Sequence, residues 1–161
     1  MQTFVPYPDI NLSVKVLDSK RLGKQRVEAY QIINILVWGN ENSWSNHPAV
    51  TMWRGAEEVL ILYYNACVNE WVRRGFNNTM ELEDYAEDDV TFPWWWGKYE
   101  VHLSHQSNLL RKDEDYYRRF FPDIEDNWLY AWPGPTPDHG MRVVIPKWAK
   151  DKEYINPLDD D

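Results

Sequence analysis

Two long stretches with helical periodicity constrain this chain more than any other feature of its sequence. Between Ser19 and Trp38, the residues Leu22, Ala29, Ile33 and Leu36 fall on one stripe, and Gly39-Asn40 supplies a stop. Between Ala56 and Arg74, a second apolar side is given by Val59, Leu62, Ala66 and either Val72 or Cys67. Glu57 and Glu58 in the first turn of that stretch, and Arg73 and Arg74 in its last, complement the helix dipole; Gly75 is placed to end it. Helices with one apolar stripe must bury it, so the expected fold is mainly α, a single compact helical domain.

The rest of the chain fits around that pair. Pro6 and Pro8 make residues 1–10 an extended arm, and Asn11 or Asp18 can cap the first helix. A third helix is expected over Tyr99–Lys112, then a short one over Glu114–Phe121, capped by Asp113 and stopped by Pro122. Glu81–Asp89 holds six acids in nine residues and reads as a solvated loop, and Phe92–Gly97 as an irregular aromatic segment. From Asp123 onward five prolines leave one strand-like run, Met141–Ile145. The expected division is a helical domain over 1–122 and a Pro-rich irregular extension over 123–161 packed on it. Its acidic end, Asp159-Asp160-Asp161, is expected to fray.

Composition narrows the function. The 161 residues carry a formal charge of −9, so bulk attraction to nucleic acid is excluded and any such binding needs a local basic patch. The single cysteine, Cys67, rules out an intrachain disulfide and a Cys-based metal site. It fits a reducing compartment, so a cytoplasmic location is expected. The first residues lack a basic flank and an apolar run, and the longest apolar stretch, Val59–Tyr64, is too short for a bilayer, so no signal peptide and no membrane association are expected. A monomer is the expected state.

The local patch exists. Five basic side chains lie between Lys15 and Arg26, and Glu28 closes the run on the face it shares with Arg21, Lys24 and Gln25. A lone carboxylate among cations suits stabilisation of a developing sugar cation, or movement of a sugar proton. Ordinary ion pairs on a solvated helix face are the competing explanation.

Four segments in order turn this into a resemblance. Leu17-Asp18-Ser19-Lys20-Arg21-Leu22 followed by Glu28, then Asn46-His47-Pro48-Ala49-Val50, then Asn69–Asn77 with Arg74-Gly75-Phe76, then His105-Gln106-Ser107 leading to Tyr116-Tyr117 resemble the pyrimidine-dimer DNA glycosylase family of the phage endonuclease V type. The resemblance covers roughly residues 1–122. It implies a compact helical fold that cleaves the glycosidic bond of a damaged base and then nicks the abasic strand, with no cofactor. The family's nucleophile is an N-terminal α-amine that attacks the sugar and forms an imine. Its catalytic carboxylate matches Glu28, and its phosphate-holding arginines match Arg21 and Arg26. The family pattern places Thr directly after the initiator Met, whereas here Gln2 precedes Thr3. Met1 is expected to stay, so Met1 and Thr3 are the candidates for the nucleophile's position, with Lys20 or Lys24 as a substitute amine.

Other residues carry secondary expectations. His47 and His105 are further catalytic candidates, although a structural hydrogen bond suits His47 better. Lys20, Lys24, Ser107, Asn108, Arg111 and Lys112 are candidates for substrate and phosphate binding, and Trp94, Trp95 and Trp96 for stacking a base. His102 and His105 share a helix face without a matching carboxylate, so no metal site is expected. If the assignment holds, the N-terminal arm returns across the first long helix to Glu28. Arg21, Lys24 and Glu28 then form one wall of a cleft, the Ser107-Asn108 helix another, and Arg26 stands on the rim. The expected substrate is DNA with a damaged or modified pyrimidine. A free nucleotide or nucleoside bound by the same fold, or a non-catalytic acidic binding module, are the alternatives.

Overall fold

The computed structural model describes residues 1–159; Asp160 and Asp161, part of the end expected to fray, lie outside the described residues. The chain is mainly α. Helix α1 spans Ile10–Lys15, α2 Ser19–Leu36, α3 Pro48–Thr51, α4 Glu57–Arg73, α5 Tyr99–Lys112 and α6 Glu114–Tyr117. The expected strand run shrinks to β2, Met141–Arg142, which pairs antiparallel with β1, Trp132–Pro133. Prolines at 133, 135, 137 and 146 limit how far that ribbon can extend.

Local chemistry explains the boundaries. Asp9 caps α1 through the Leu12 amide at 2.8 Å, and Asp18 caps α2 through the Arg21 amide. The arm and α2 are therefore separated by an extra short helix, where the sequence suggests only an extended approach. Asp113 caps α6 as expected, but α6 stops at Tyr117, short of Phe121. The acidic loop is tied down on its inner side. Glu81 and Glu83 carbonyls accept from Tyr64 and Asn65, and the Ala86 amide donates to Glu58 at 2.6 Å.

Helices α2 and α4 form the centre of the core. Gly23 makes their close approach possible, since a Cβ there would stand 3.0 Å from the Trp71 ring. The buried side of α4 is Val59, Leu60, Ile61, Tyr63, Tyr64, Cys67 and Val68; Val72 is exposed, which settles the choice between it and Cys67. Trp53 and Trp95 meet edge to face beneath them at 5.2 Å. At the C-terminal end of α4, Arg74 bonds both Glu70 and the Lys15 carbonyl, locking the α1–α2 corner.

Helix α5 is unusual because Ser104, His105, Gln106, Ser107 and Asn108 are all buried. Buried polar groups need partners, and these find theirs on two irregular segments that cannot satisfy their own backbone. His105 and Gln106 hold the N-terminal arm, while the Ser104 and Ser107 hydroxyls accept from the amides of Ala131 and Trp128. The tail beyond Asp123 is thus fastened to α5 through its main chain.

Candidate active site

The N-terminal arm is clamped one residue at a time. Gln2 donates its amide to Glu28 Oε2 at 3.4 Å and accepts at its carbonyl from Gln25 Nε2 at 2.8 Å. The Thr3 hydroxyl accepts from Trp53 Nε1 at 3.0 Å. Phe4 donates to Gln25 Oε1 at 2.8 Å, and its carbonyl accepts from the Tyr63 hydroxyl at 2.6 Å. Val5 donates to His105 Nδ1 at 2.9 Å, and the Pro6 carbonyl accepts from Gln106 Nε2 at 2.8 Å. An extended strand with no neighbouring strand has been given side chains in place of one.

This clamp sets the histidines. His105 Nδ1 accepts, so its proton sits on Nε2, between the rings of Phe4 and Tyr130. His102 Nε2 accepts from the Gly97 amide, so Nδ1–H donates to the Val5 carbonyl at 2.8 Å. Burial lowers the His105 pKa from 6.5 to about 3 and also lowers that of His102. Both are structural neutral imidazoles, and neither lines the cleft at the chain's start.

The pH dependence of stability follows. The unfolded chain takes up a proton at position 105 below its ordinary pKa of 6.5, whereas the folded chain resists until about pH 3. That contribution is fully present above pH 6.5 and is lost as pH falls through this window. Melting temperature should drop between pH 6.5 and about pH 5, above most of the carboxylate range. His105→Asn, which keeps an acceptor near the Nδ1 position, should flatten part of that slope. An unchanged slope in thermal melts would show that the imidazole is not the group responsible.

Clamping the arm creates a cleft of about 390 Å³ at the chain's start. Glu28, Arg21, Lys24 and Lys20 from α2 form one wall, and Met1, Gln2 and Phe4 form its floor. The opposite wall is Lys112 and Tyr130, rather than the expected Ser107-Asn108. Glu28 is half-buried, and its Oε2 already accepts from Gln2 and from Gln25 Nε2 at 3.0 Å. No partner among the described residues engages Oε1. Arg21 is paired with Asp18 at 3.2 Å, while Lys20, Lys24 and Lys112 take part in none of the ion pairs among the described residues. A chain of net charge −9 thus gathers four cations around one carboxylate.

Other expected residues lie elsewhere. Arg26 is not on the rim. It precedes Glu28 by two residues, roughly 200° around the helix, and stacks over Trp71 at 4.2 Å while bonding Asn78 at 2.7 Å. Ser107 and Asn108 are consumed internally, Asn108 by the Ser104 carbonyl and Arg111. Arg111 folds onto Trp148 at 3.9 Å and bonds the Asp126 carbonyl. His47 caps α3 through the Ala49 amide, and burial together with the nearby N-terminal amine lowers its pKa. Thr3 is buried under Trp53 and does not line the cleft. Trp95 is wholly buried and donates to the Met52 carbonyl, so it offers no face to a base. Trp94 bonds the Gly134 carbonyl, and Trp96 packs on Trp95; neither lines the cleft.

Gln25 and Tyr130 are the residues that sequence reasoning passes over. Gln25 stands in plain view on the Arg21–Glu28 face, and a polar residue flanked by Leu22 and Ala29 on the inner side is its only signal. Nothing in the spacing of the Pro-rich tail marks Tyr130.

A family model described as pyrimidine dimer DNA glycosylase matches residues 1–84, which include the arm, the cation-bearing face of α2 and Glu28. No curated protein and no solved structure matches the chain. No helix among the described residues is long and apolar enough to cross a membrane. By the family match and the mainly helical fold that carries it, the chain belongs to the pyrimidine dimer DNA glycosylase family.

Proposed function

We propose that this chain excises a damaged or modified pyrimidine from DNA, with Glu28 as the carboxylate at the sugar. The observation that carries the reading is the cleft itself. One carboxylate with a free oxygen stands beside the N-terminal main chain, ringed by Lys20, Arg21, Lys24 and Lys112. As the glycosidic bond lengthens, positive charge grows at C1′, and the Glu28 carboxylate offsets it in a partly water-excluded site. The lysines and Arg21 hold the flanking phosphates.

The nucleophile in this reading is the α-amine of Met1, which lies in the same cleft. Its lone pair forms the C1′–N bond while the C1′–base bond breaks and its electron pair leaves with the base. Loss of the amine proton and opening of the sugar ring give an imine. Glu28 then removes a C2′ proton, which expels the 3′ phosphate and nicks the strand. The main-chain nitrogen at 3.4 Å from Glu28 is the Gln2 amide, so the amine acts from one residue further out.

Incubation with ultraviolet-irradiated and base-modified duplexes should release base, and borohydride should trap a covalent adduct at Met1 by intact mass. Base release without an adduct would replace the amine with water while leaving Glu28 in place. No release from any duplex would remove the reading. The charge of −9 favours a second reading, a free nucleotide whose few charges need only these cations. Affinity that barely changes with salt would support it, whereas a duplex binder loses affinity steeply.

A further inference from the structure

A second hollow shares lining residues with the Glu28 cleft, and a third shares one with the second. Tyr130 and Lys112 line both the cleft and a neighbouring chamber of about 590 Å³, whose other walls include Trp132, Trp148, Val144 and Pro146. Trp132 in turn lines a third hollow of about 410 Å³, where Arg54 and Arg142 stand. The middle chamber is mostly apolar and aromatic, with Asn108, Arg111 and Lys112 as its polar lining; Lys20, Arg21 and Lys24 stand in the Glu28 cleft, and Arg54 and Arg142 in the third hollow. An apolar, aromatic chamber beside a cation-ringed carboxylate suits one nucleotide unit, with the sugar and its phosphates at the cations of the cleft and the base in the chamber.

We propose that this chamber is a nucleobase site, built by the tail beyond the family-matched residues and stacking an extrahelical base on Tyr130, Trp132 and Trp148. The placement of each ring is fixed by other contacts. Trp132 is held in the β1–β2 ribbon opposite Arg142, and Tyr130 packs against it with centroids 5.2 Å apart. Trp148 is braced on one face by the Arg111 guanidinium, itself anchored to the Asp126 carbonyl. All three aromatics are only partly buried, so the chamber presents ring surface in a preset arrangement. The sugar would sit at Glu28 while its base lies next door, in contact with the shared Tyr130 ring. The chamber rests on the proposed reading only for the identity of that sugar; a base can be bound whether or not it is excised.

Calorimetric titration of thymidine 3′,5′-bisphosphate against the abasic dideoxyribose 3,5-bisphosphate isolates the base, because the two ligands carry the same charge. The chamber predicts tighter binding of the thymidine compound by about tenfold or more. In Trp148→Ala and, separately, Trp132→Ala, that preference should fall toward unity while affinity for the abasic ligand stays the same. Trp148 sits in a short turn near the chain end, so its variant tests the idea even if Trp132→Ala unfolds. Equal binding of the two ligands by the wild-type chain, or a preference untouched by Trp148→Ala, would overturn the chamber. Loss of the preference with no base release from any duplex would leave the chamber standing and remove the glycosylase reading. Base release with no such preference would do the reverse.

Discussion

Glu28→Gln is expected to lower the rate of base release by about 10²–10⁴-fold, the range that a positioned acid–base or charge-stabilising group supplies. The substitution is chosen because it leaves the local structure intact. The introduced amide's carbonyl oxygen can still accept from the Gln2 amide and from Gln25 Nε2, the two bonds that now end on Oε2. What disappears is the negative charge and the free second oxygen. Melting temperature should therefore change little, and duplex affinity should hold or rise slightly, since an anion has been removed from a ring of cations. Single-turnover assays on an irradiated duplex, run beside a binding titration, separate these quantities. A variant that binds the duplex and releases base at the wild-type rate would show that Glu28 is a solvated helix-face carboxylate and no more.

How much of this is legible in the sequence differs by element. The two long helices, the Asp18 cap of α2 and the third helix over Tyr99–Lys112 can be read because periodicity and capping act over a few residues. The clustering of Arg21, Lys24 and Glu28 is legible for the same reason: spacings of three, four and seven fix a shared face before any tertiary contact forms. Arg26 departs from its expected place because its angle on the helix, not its basic type, decides what it meets, and the angle points it at Trp71. The buried polar run of α5 is not legible. Ser104, His105, Gln106 and Ser107 look solvent-facing by residue type, and only the arm and tail that they bond make their burial tolerable. The Trp94–Trp96 run misleads in the opposite sense, since an aromatic cluster looks like a stacking platform until Trp95 is seen inside the core. The aromatics that do line the chamber, Tyr130, Trp132 and Trp148, are scattered through a Pro-rich segment and meet only in three dimensions.

Gln25→Leu should damage both stability and activity, for a reason the arm makes plain. Gln25 is buried, and its amide serves four partners at once: the Phe4 amide, the Gln2 carbonyl, the Tyr63 hydroxyl and Glu28. Leucine is close in volume and no worse as a helix former, so the loss is one of hydrogen bonding alone. Tyr63 can still donate to the Phe4 carbonyl, which leaves the Phe4 amide and the Gln2 carbonyl as orphans. At about 1–3 kcal/mol for a buried group left unpaired, the Phe4 amide carries most of the cost if the arm stays in place, and the part-buried Gln2 carbonyl adds less. The arm has an easier escape, which is to let residues 1–4 leave the groove into water. Loss of activity should then exceed loss of stability, because Met1 and Gln2 form the floor of the Glu28 cleft. Gln25→Glu separates the two effects. It keeps an acceptor for Phe4 and Tyr63 but lacks the donor to Gln2, and it sets a second carboxylate against Glu28. It should retain more stability than Gln25→Leu while still losing base release. Denaturant melts, together with amide hydrogen exchange over residues 2–6, report the two quantities independently. Wild-type exchange protection in Gln25→Leu would show that the arm is held without this side chain.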